Sequence, residues 1–188
     1  MLARAARRHG GEPGDQGMNK LLVMLALAGM LTAGPMAAAG SVYGLEAPKG
    51  PVVLHVSGNM SVHNAGDRVE LDRALIEEMP QTELVTWTPW TGDAPVRFSG
   101  VLLADLIELL GATGRRIQAV ALNDYRAEIP LSDLHEHEVL LAVRRNGEYM
   151  AVRDKGPLWI VYPLDPAHRD RSAIEGRMVW QLKELVIE

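Results

Sequence analysis

Cysteine is absent from all 188 residues. Disulfides, thiolate metal ligands and a cysteine nucleophile are therefore excluded at once. Other signatures of chemistry are missing too. The chain has no P-loop, no glycine-rich dinucleotide fingerprint and no Ser-His-Asp arrangement. It also lacks a basic excess: 19 Lys and Arg stand against 24 Asp and Glu, a formal charge of −5. An acidic balance argues against nucleic acid, whose phosphates must be neutralised by cations, and against docking on anionic lipid. The main apolar run, Leu21 to Thr32, is shorter than the roughly 20 residues that a membrane-spanning helix needs.

That run has a different reading. Met18-Asn19-Lys20 gives it a polar, basic start, and Pro35-Met36-Ala37-Ala38-Ala39 supplies the small residues of a cleavage site. This is the layout of a secretory signal peptide, with an uncleaved anchor as the alternative. Residues 1–17 read as an extension upstream of a more natural initiator at Met18, residues 18–40 as the signal, and 41–188 as a single exported, periplasmic domain. Residues 1–40 hold Arg4, Arg7, Arg8 and Lys20 against Glu12 and Asp15, a net of +2, which leaves about −7 on the remainder. The remainder is long enough to bury one core.

Along the domain, Pro51 to Gly58 alternates as a strand, and Asn64-Ala65-Gly66-Asp67 is turn chemistry. Asp72 is placed to cap a short helix that Pro80 ends, with Leu71 and Ile76 as a hydrophobic staple. Gln81 to Trp87 reads as extended. Ser99 to Leu110 carries apolar residues at helical spacing and is closed by Gly111 and Gly114. Strands are expected over Arg116 to Leu122, Tyr125 to Pro130, Val139 to Arg145, Glu148 to Arg153, Leu158 to Tyr162 and Met178 to Ile187. Asn146-Gly147 between two of them is a strong hairpin signal. Seven or so strands with two helices indicate an α+β domain built on mixed β-sheets.

Three patches carry candidate chemistry. Trp87 and Trp90 bracket Thr88-Pro89, whose stiff backbone could hold two indoles as a stacking wall for a heteroaromatic ring, or else simply as core. Asn123, Asp124 and Tyr125 lie between two strands, either as a turn or as a polar edge of a site. Arg153, Asp154 and Lys155 precede Gly156-Pro157; a carboxylate there could accept two hydrogen bonds from an aminopyrimidine edge, while Arg or Lys suits ring carbonyls. The alternative for that patch is a solvated loop with local ion pairs. His135-Glu136-His137 would point two imidazoles the same way on an extended segment, but two ligands fall short of a tetrahedral metal set.

Taken in order, the patches resemble the molybdopterin-binding domain of the sulfite-oxidase family. Phe98-Ser99-Gly100-Val101-Leu102 with Leu106 and Leu110 is similar to the helix after that family's cysteine segment. Ala121 to Tyr125 with Ile129-Pro130, the Asn146-Gly147 hairpin, Gly156-Pro157-Leu158, Tyr162-Pro163 and Trp180 with Leu182 and Val186 resemble its later elements. The similarity spans residues 52 to 187. Where the enzymes place their metal-binding cysteine, this chain has Trp87-Thr88-Pro89-Trp90.

The resemblance implies a sulfite-oxidase-like fold without a molybdenum ligand. It is nearest to small exported regulators that bind a reduced monopterin and engage the periplasmic region of a membrane-bound cyclic-di-GMP cyclase or phosphodiesterase, or of a sensor kinase. On that reading the protein is non-catalytic and binds no metal. Trp87, Trp90, Asn123, Asp124, Tyr125, Arg153, Asp154 and Lys155 would hold the pterin. The alternatives are a molybdopterin oxidoreductase without a cysteine ligand and a ligand-free interaction module of the same fold.

Overall fold

In Val52–Gly58 (β1), Leu54 and Val56 are fully buried while His55 and Ser57 are half exposed, the period of a strand with one face on a core. The computed structural model describes residues 45–164 and 171–188, so the expected upstream extension and signal peptide lie outside the described residues. β1 pairs antiparallel with Val69–Asp72 (β2) on one side and parallel with Leu182–Ile187 (β10) on the other. Beyond β10 come Arg116–Ala121 (β5) and Arg126–Pro130 (β6), giving the order β2-β1-β10-β5-β6.

The second sheet runs Thr82–Thr86 (β3), Val96–Leu102 (β4), Leu140–Arg145 (β7) and Glu148–Tyr149 (β8). Trp159–Val161 (β9) pairs with the first half of β7. Four helices of at most seven residues complete the described residues: Arg73–Glu78 (α1), Leu103–Leu109 (α2), Asp133–Glu136 (α3) and Arg171–Arg177 (α4). A mixed sheet and an antiparallel sheet with short helices make the α+β architecture expected. Among the described residues no helix is long and apolar enough to cross a membrane.

Several element boundaries differ from expectation. The helix expected over Ser99 to Leu110 begins only at Leu103. Residues 99–102 stay extended because β4 is paired on both edges, by β3 and β7, and ladder hydrogen bonds there outweigh the helical spacing of the leucines. Leu103 N–H then donates to Val139 O at 2.8 Å, and Leu103, Leu106 and Ile107 keep the buried stripe. The hairpin at Asn146-Gly147 forms as expected, both residues having positive φ (52° and 85°), but β8 stops after Tyr149 and the chain coils into a 3₁₀ turn at Val152–Asp154.

The last strand starts at Leu182 rather than Met178, because Gln181 adopts φ 51° and breaks it. α4 was not expected; its run offers no long apolar stripe. The His135-Glu136-His137 segment is helical up to Glu136, so the two imidazoles do not share an edge. No metal-capable cluster of three or more His, Asp or Glu occurs among the described residues.

The cap at Asp72 is formed as read. Its buried carboxylate accepts N–H groups from Leu75 at 2.9 Å, Gly50 at 2.7 Å and Lys49 at 2.8 Å. The Leu75 hydrogen bond leads in holding its pKa below 3.8, against the opposing effect of burial. Asp72→Ala should cost about 2 kcal/mol at pH 7 through the lost cap and orphaned donors. A lowered folded-state pKa gives stability that is present above the unfolded value and lost as pH falls through the folded one. Urea denaturation should therefore show the gap between parent and variant narrowing at pH values well under 3.8; a gap constant with pH would mean the carboxylate charge is irrelevant.

Candidate functional site

The three patches meet around a short stretch that joins the two sheets. Ile160 N–H donates to Val179 O at 2.9 Å, Leu182 N–H to Leu158 O at 3.0 Å and Gln181 N–H to Lys155 O at 2.9 Å. From the other side, Leu122 N–H donates to Gln181 O at 2.8 Å. Trp180 and Gln181 are thus laced to the Arg153–Trp159 patch and to the strand that ends in Asn123-Asp124-Tyr125. Gly156 is required in this stitching, since a Cβ there would run into the Met150 carbonyl.

Over this crossing stand three of the chain's four tryptophans. Trp90 meets Trp180 edge-on, with centroids 4.7 Å apart and an interplanar angle of 70°, and lies 6.1 Å from Trp159. Trp159 and Trp180 are 6.3 Å apart at 82°, and Phe98 closes the far side of Trp159 at 5.3 Å. Trp159 is fully buried and donates its indole N–H to Met178 O at 3.3 Å; Trp90 and Trp180 stay partly open. Lys155, in the left-handed region at φ 73°, holds its Nζ 4.0 Å from the Trp180 ring centre, 5.7 Å from Trp159 and 5.9 Å from Trp90. The ring quadrupoles attract the ammonium. Burial, and secondarily the like charge of Arg145, pull its pKa below the usual lysine value.

Each expected site residue can now be placed. Trp90 and Lys155 are in direct contact at the crossing. Arg153 and Asp154 share the turn with Lys155 but are exposed and pair with each other at 3.3 Å. Asn123 Oδ1 accepts from Tyr125 N–H at 3.2 Å, so that patch is also a built turn, with Asp124 at φ 64°. Asp124 pairs with Lys183 Nζ at 2.7 Å, and that hydrogen bond holds its carboxyl low. Tyr125 hydroxyl donates to Gly176 O at 2.9 Å, tying the turn to α4.

Trp87 is half-buried, with its backbone N–H donating to Leu164 O at 3.5 Å. The flat two-indole wall is not what Trp90 builds: it tilts into the edge-to-face group, because an indole's positive edge prefers another indole's negative face. Trp159 and Trp180 are the site residues that sequence reading left out. The signal was available in their rarity and in the placement of Trp159 at the end of the Arg153 patch.

A second polar group was not anticipated. Buried Asp133 accepts at Oδ2 from Tyr162 hydroxyl at 2.7 Å and from Arg177 Nη1 at 2.7 Å. Burial, with the Asp133 hydrogen bond second, pushes the Tyr162 pKa far above its ordinary value, so the hydroxyl remains a donor. Thr86 hydroxyl bonds the carbonyls of Tyr162 and Leu164, fixing the chain after β9. A separate groove between α1 and α2, floored by Leu75, Met79 and Leu109 and rimmed by carboxylates, shares no residue with the patches.

The model of the oxidoreductase molybdopterin-binding domain matches residues 59–170. The chain belongs to that family. Among solved structures it is similar to the sulfane dehydrogenase SoxCD from Paracoccus pantotrophus, at 17% identity and a TM-score of 0.57 over 77% of this chain, a likeness of fold. The chain spans 40% of the length of that relative. No curated protein matches. Family membership raises the question of molybdenum, and the donor set here does not suit it: there is no thiolate, and Trp87-Thr88-Pro89-Trp90 offers no metal-binding side chain. The crossing instead offers the indole faces of Trp90 and Trp180 and the ammonium of Lys155.

Tyr162→Phe should lower stability by about 1–3 kcal/mol, since it leaves part of the buried Asp133 carboxylate unsatisfied. Thermal denaturation of the variant checks this; an unchanged melting temperature would show that Arg177 alone satisfies Asp133.

Proposed function

We propose that this chain is a pterin-binding protein that makes and breaks no bond. It takes a reduced monopterin without molybdenum at the crossing of Trp90, Lys155 and Trp180. The observation that carries the reading is the contact of Trp90, Trp180 and Lys155 at one crossing, in a cysteine-free chain that belongs to a molybdopterin-binding family.

The pterin ring lies against the partly open indoles. Asp154, or Asp124 across the crossing, accepts from the aminopyrimidine edge, and Asn123, Tyr125, Arg153 and Lys155 complete the contacts, with Trp87 flanking. The protein is exported to the periplasm by the segment 18–40. Its loaded form engages the periplasmic region of a membrane-bound cyclase, phosphodiesterase or sensor kinase. The acidic balance of the domain supports a protein partner over nucleic acid or anionic lipid.

Titrating the purified protein with reduced and oxidised monopterins, followed by calorimetry and tryptophan fluorescence, tests the reading. Saturable binding at micromolar concentration or tighter is expected, with a fluorescence change because the ring meets Trp90 and Trp180. Replacing the anchoring carboxylate, Asp154→Ala or Asp124→Ala, should weaken binding about tenfold to a hundredfold through loss of a charge-assisted pair. If both variants bind like the parent, neither is the anchor. Stoichiometric molybdenum in native protein, read by elemental analysis, would favour an oxidoreductase instead.

A further inference from the structure

The two flanks of α1 are treated differently. Ile76 is buried in the core, and on one flank Glu77 accepts from Arg144 at 2.6 Å and from the Tyr149 hydroxyl at 2.7 Å. The other flank, Leu75, Glu78 and Met79, borders the groove of about 780 Å³ between α1 and α2. α2 repeats the arrangement: Leu103, Leu106 and Ile107 go to the core, while Asp105, Glu108 and Leu109 border the groove at the same i, i+3, i+4 spacing.

The groove has an apolar floor and an acidic rim. Its lining holds four carboxylates, those of Glu46, Glu78, Asp105 and Glu108, and no Lys or Arg. Lys49 is close by, but its ammonium already sits on Glu46 at 2.6 Å. Glu78, Asp105 and Glu108 form no ion pair with a described residue. Glu78 and Glu108 also work against their own helices. Each stands in a last turn, where the carbonyl end is negative and neither helix has a basic residue. Unpaired carboxylates beside helix ends of the same sign attract cations from outside the chain. A small-molecule pocket would aim polar groups inward to fix a ligand's orientation. Here Glu46, Glu78 and Glu108 are exposed at the edge, the layout of a protein interface with an apolar centre and a charged rim. Each helix is about 10 Å long, which matches about two turns of an opposing helix.

We propose that the groove between α1 and α2 is a docking surface for a basic amphipathic helix of a protein partner. The partner's apolar side chains pack on Leu75, Met79 and Leu109, and its Lys or Arg side chains pair with Glu78, Asp105 and Glu108. The groove shares no residue with the indole crossing, so the inference stands whether or not the crossing takes a pterin.

Titrating the full chain with a synthetic amphipathic peptide, Leu at i, i+3, i+4 and i+7 and Lys between, tests the surface by amide-resolved NMR. Saturable shifts centred on residues 75–79 and 105–109 are expected, and the same peptide with Glu in place of Lys should not bind. Glu78→Lys combined with Glu108→Lys should weaken the Lys peptide at least about tenfold. Glu128→Lys combined with Glu148→Lys, an equal change of charge at exposed positions outside the groove, should alter its affinity less than about twofold. The amide spectrum of each variant shows whether it is folded. Shifts spread over the whole surface, equal weakening by the two pairs of substitutions, or no saturable binding would refute the docking surface. Concentration-dependent shifts at the same amides without peptide would overturn it as well, in favour of a second copy of this chain.

Discussion

Residues 179–182 are hydrogen-bonded on both flanks, to β9 and Lys155 on one side and to Leu122 on the other, before the chain enters β10. A four-residue stretch paired this way has no freedom to shift register without breaking contacts in both sheets. The left-handed turn at Gln181 is tolerated for the same reason: its side-chain amide donates to Val152 O at 2.7 Å, and its backbone groups are both engaged. Everything assigned to the site inherits its position from this crossing. Trp180 presents its face because Val179 and Leu182 are held on either side of it, and Lys155 reaches that face because its carbonyl is anchored to Gln181.

The polar economy around the crossing is uneven. Asp72, Asp133 and Thr86 are buried and well supplied with partners, and they make the frame. Asp124, Arg153 and Asp154 are exposed and loosely paired, so they can exchange partners at little cost. Lys155 is the intermediate case, partly buried, facing π-systems and beside a like charge. Rigid groups set the geometry, and weakly committed groups are the ones available for recognition.

Strand content, the Asp72 cap and the Asn146-Gly147 hairpin were legible in the sequence because each depends on local chemistry: alternation, a side-chain acceptor and positive φ. The start of α2 was misplaced because the leucine spacing is helical from Ser99, while the deciding hydrogen bonds come from strands distant in sequence. The site was half legible. Trp90 and Lys155 stand in patches whose composition is unusual, whereas Trp180 matters only because β10 comes to lie beside β1 and β5, which no local pattern encodes. The Asp133–Tyr162–Arg177 group was invisible for the same reason: its members are separated by 29 and 44 residues.

β10 occupies the middle of its sheet, between β1 and β5, with β1 as a parallel neighbour. A parallel neighbour cannot be reached by a tight hairpin, so that pairing waits on the longest loop closure in the domain. The two halves of the first sheet, β2-β1 and β5-β6, touch each other only through residues 182–187 between them. The final strand acts as a keystone. The indole crossing that precedes it draws on both sheets and on this strand, so an intact recognition face requires the whole domain to be folded.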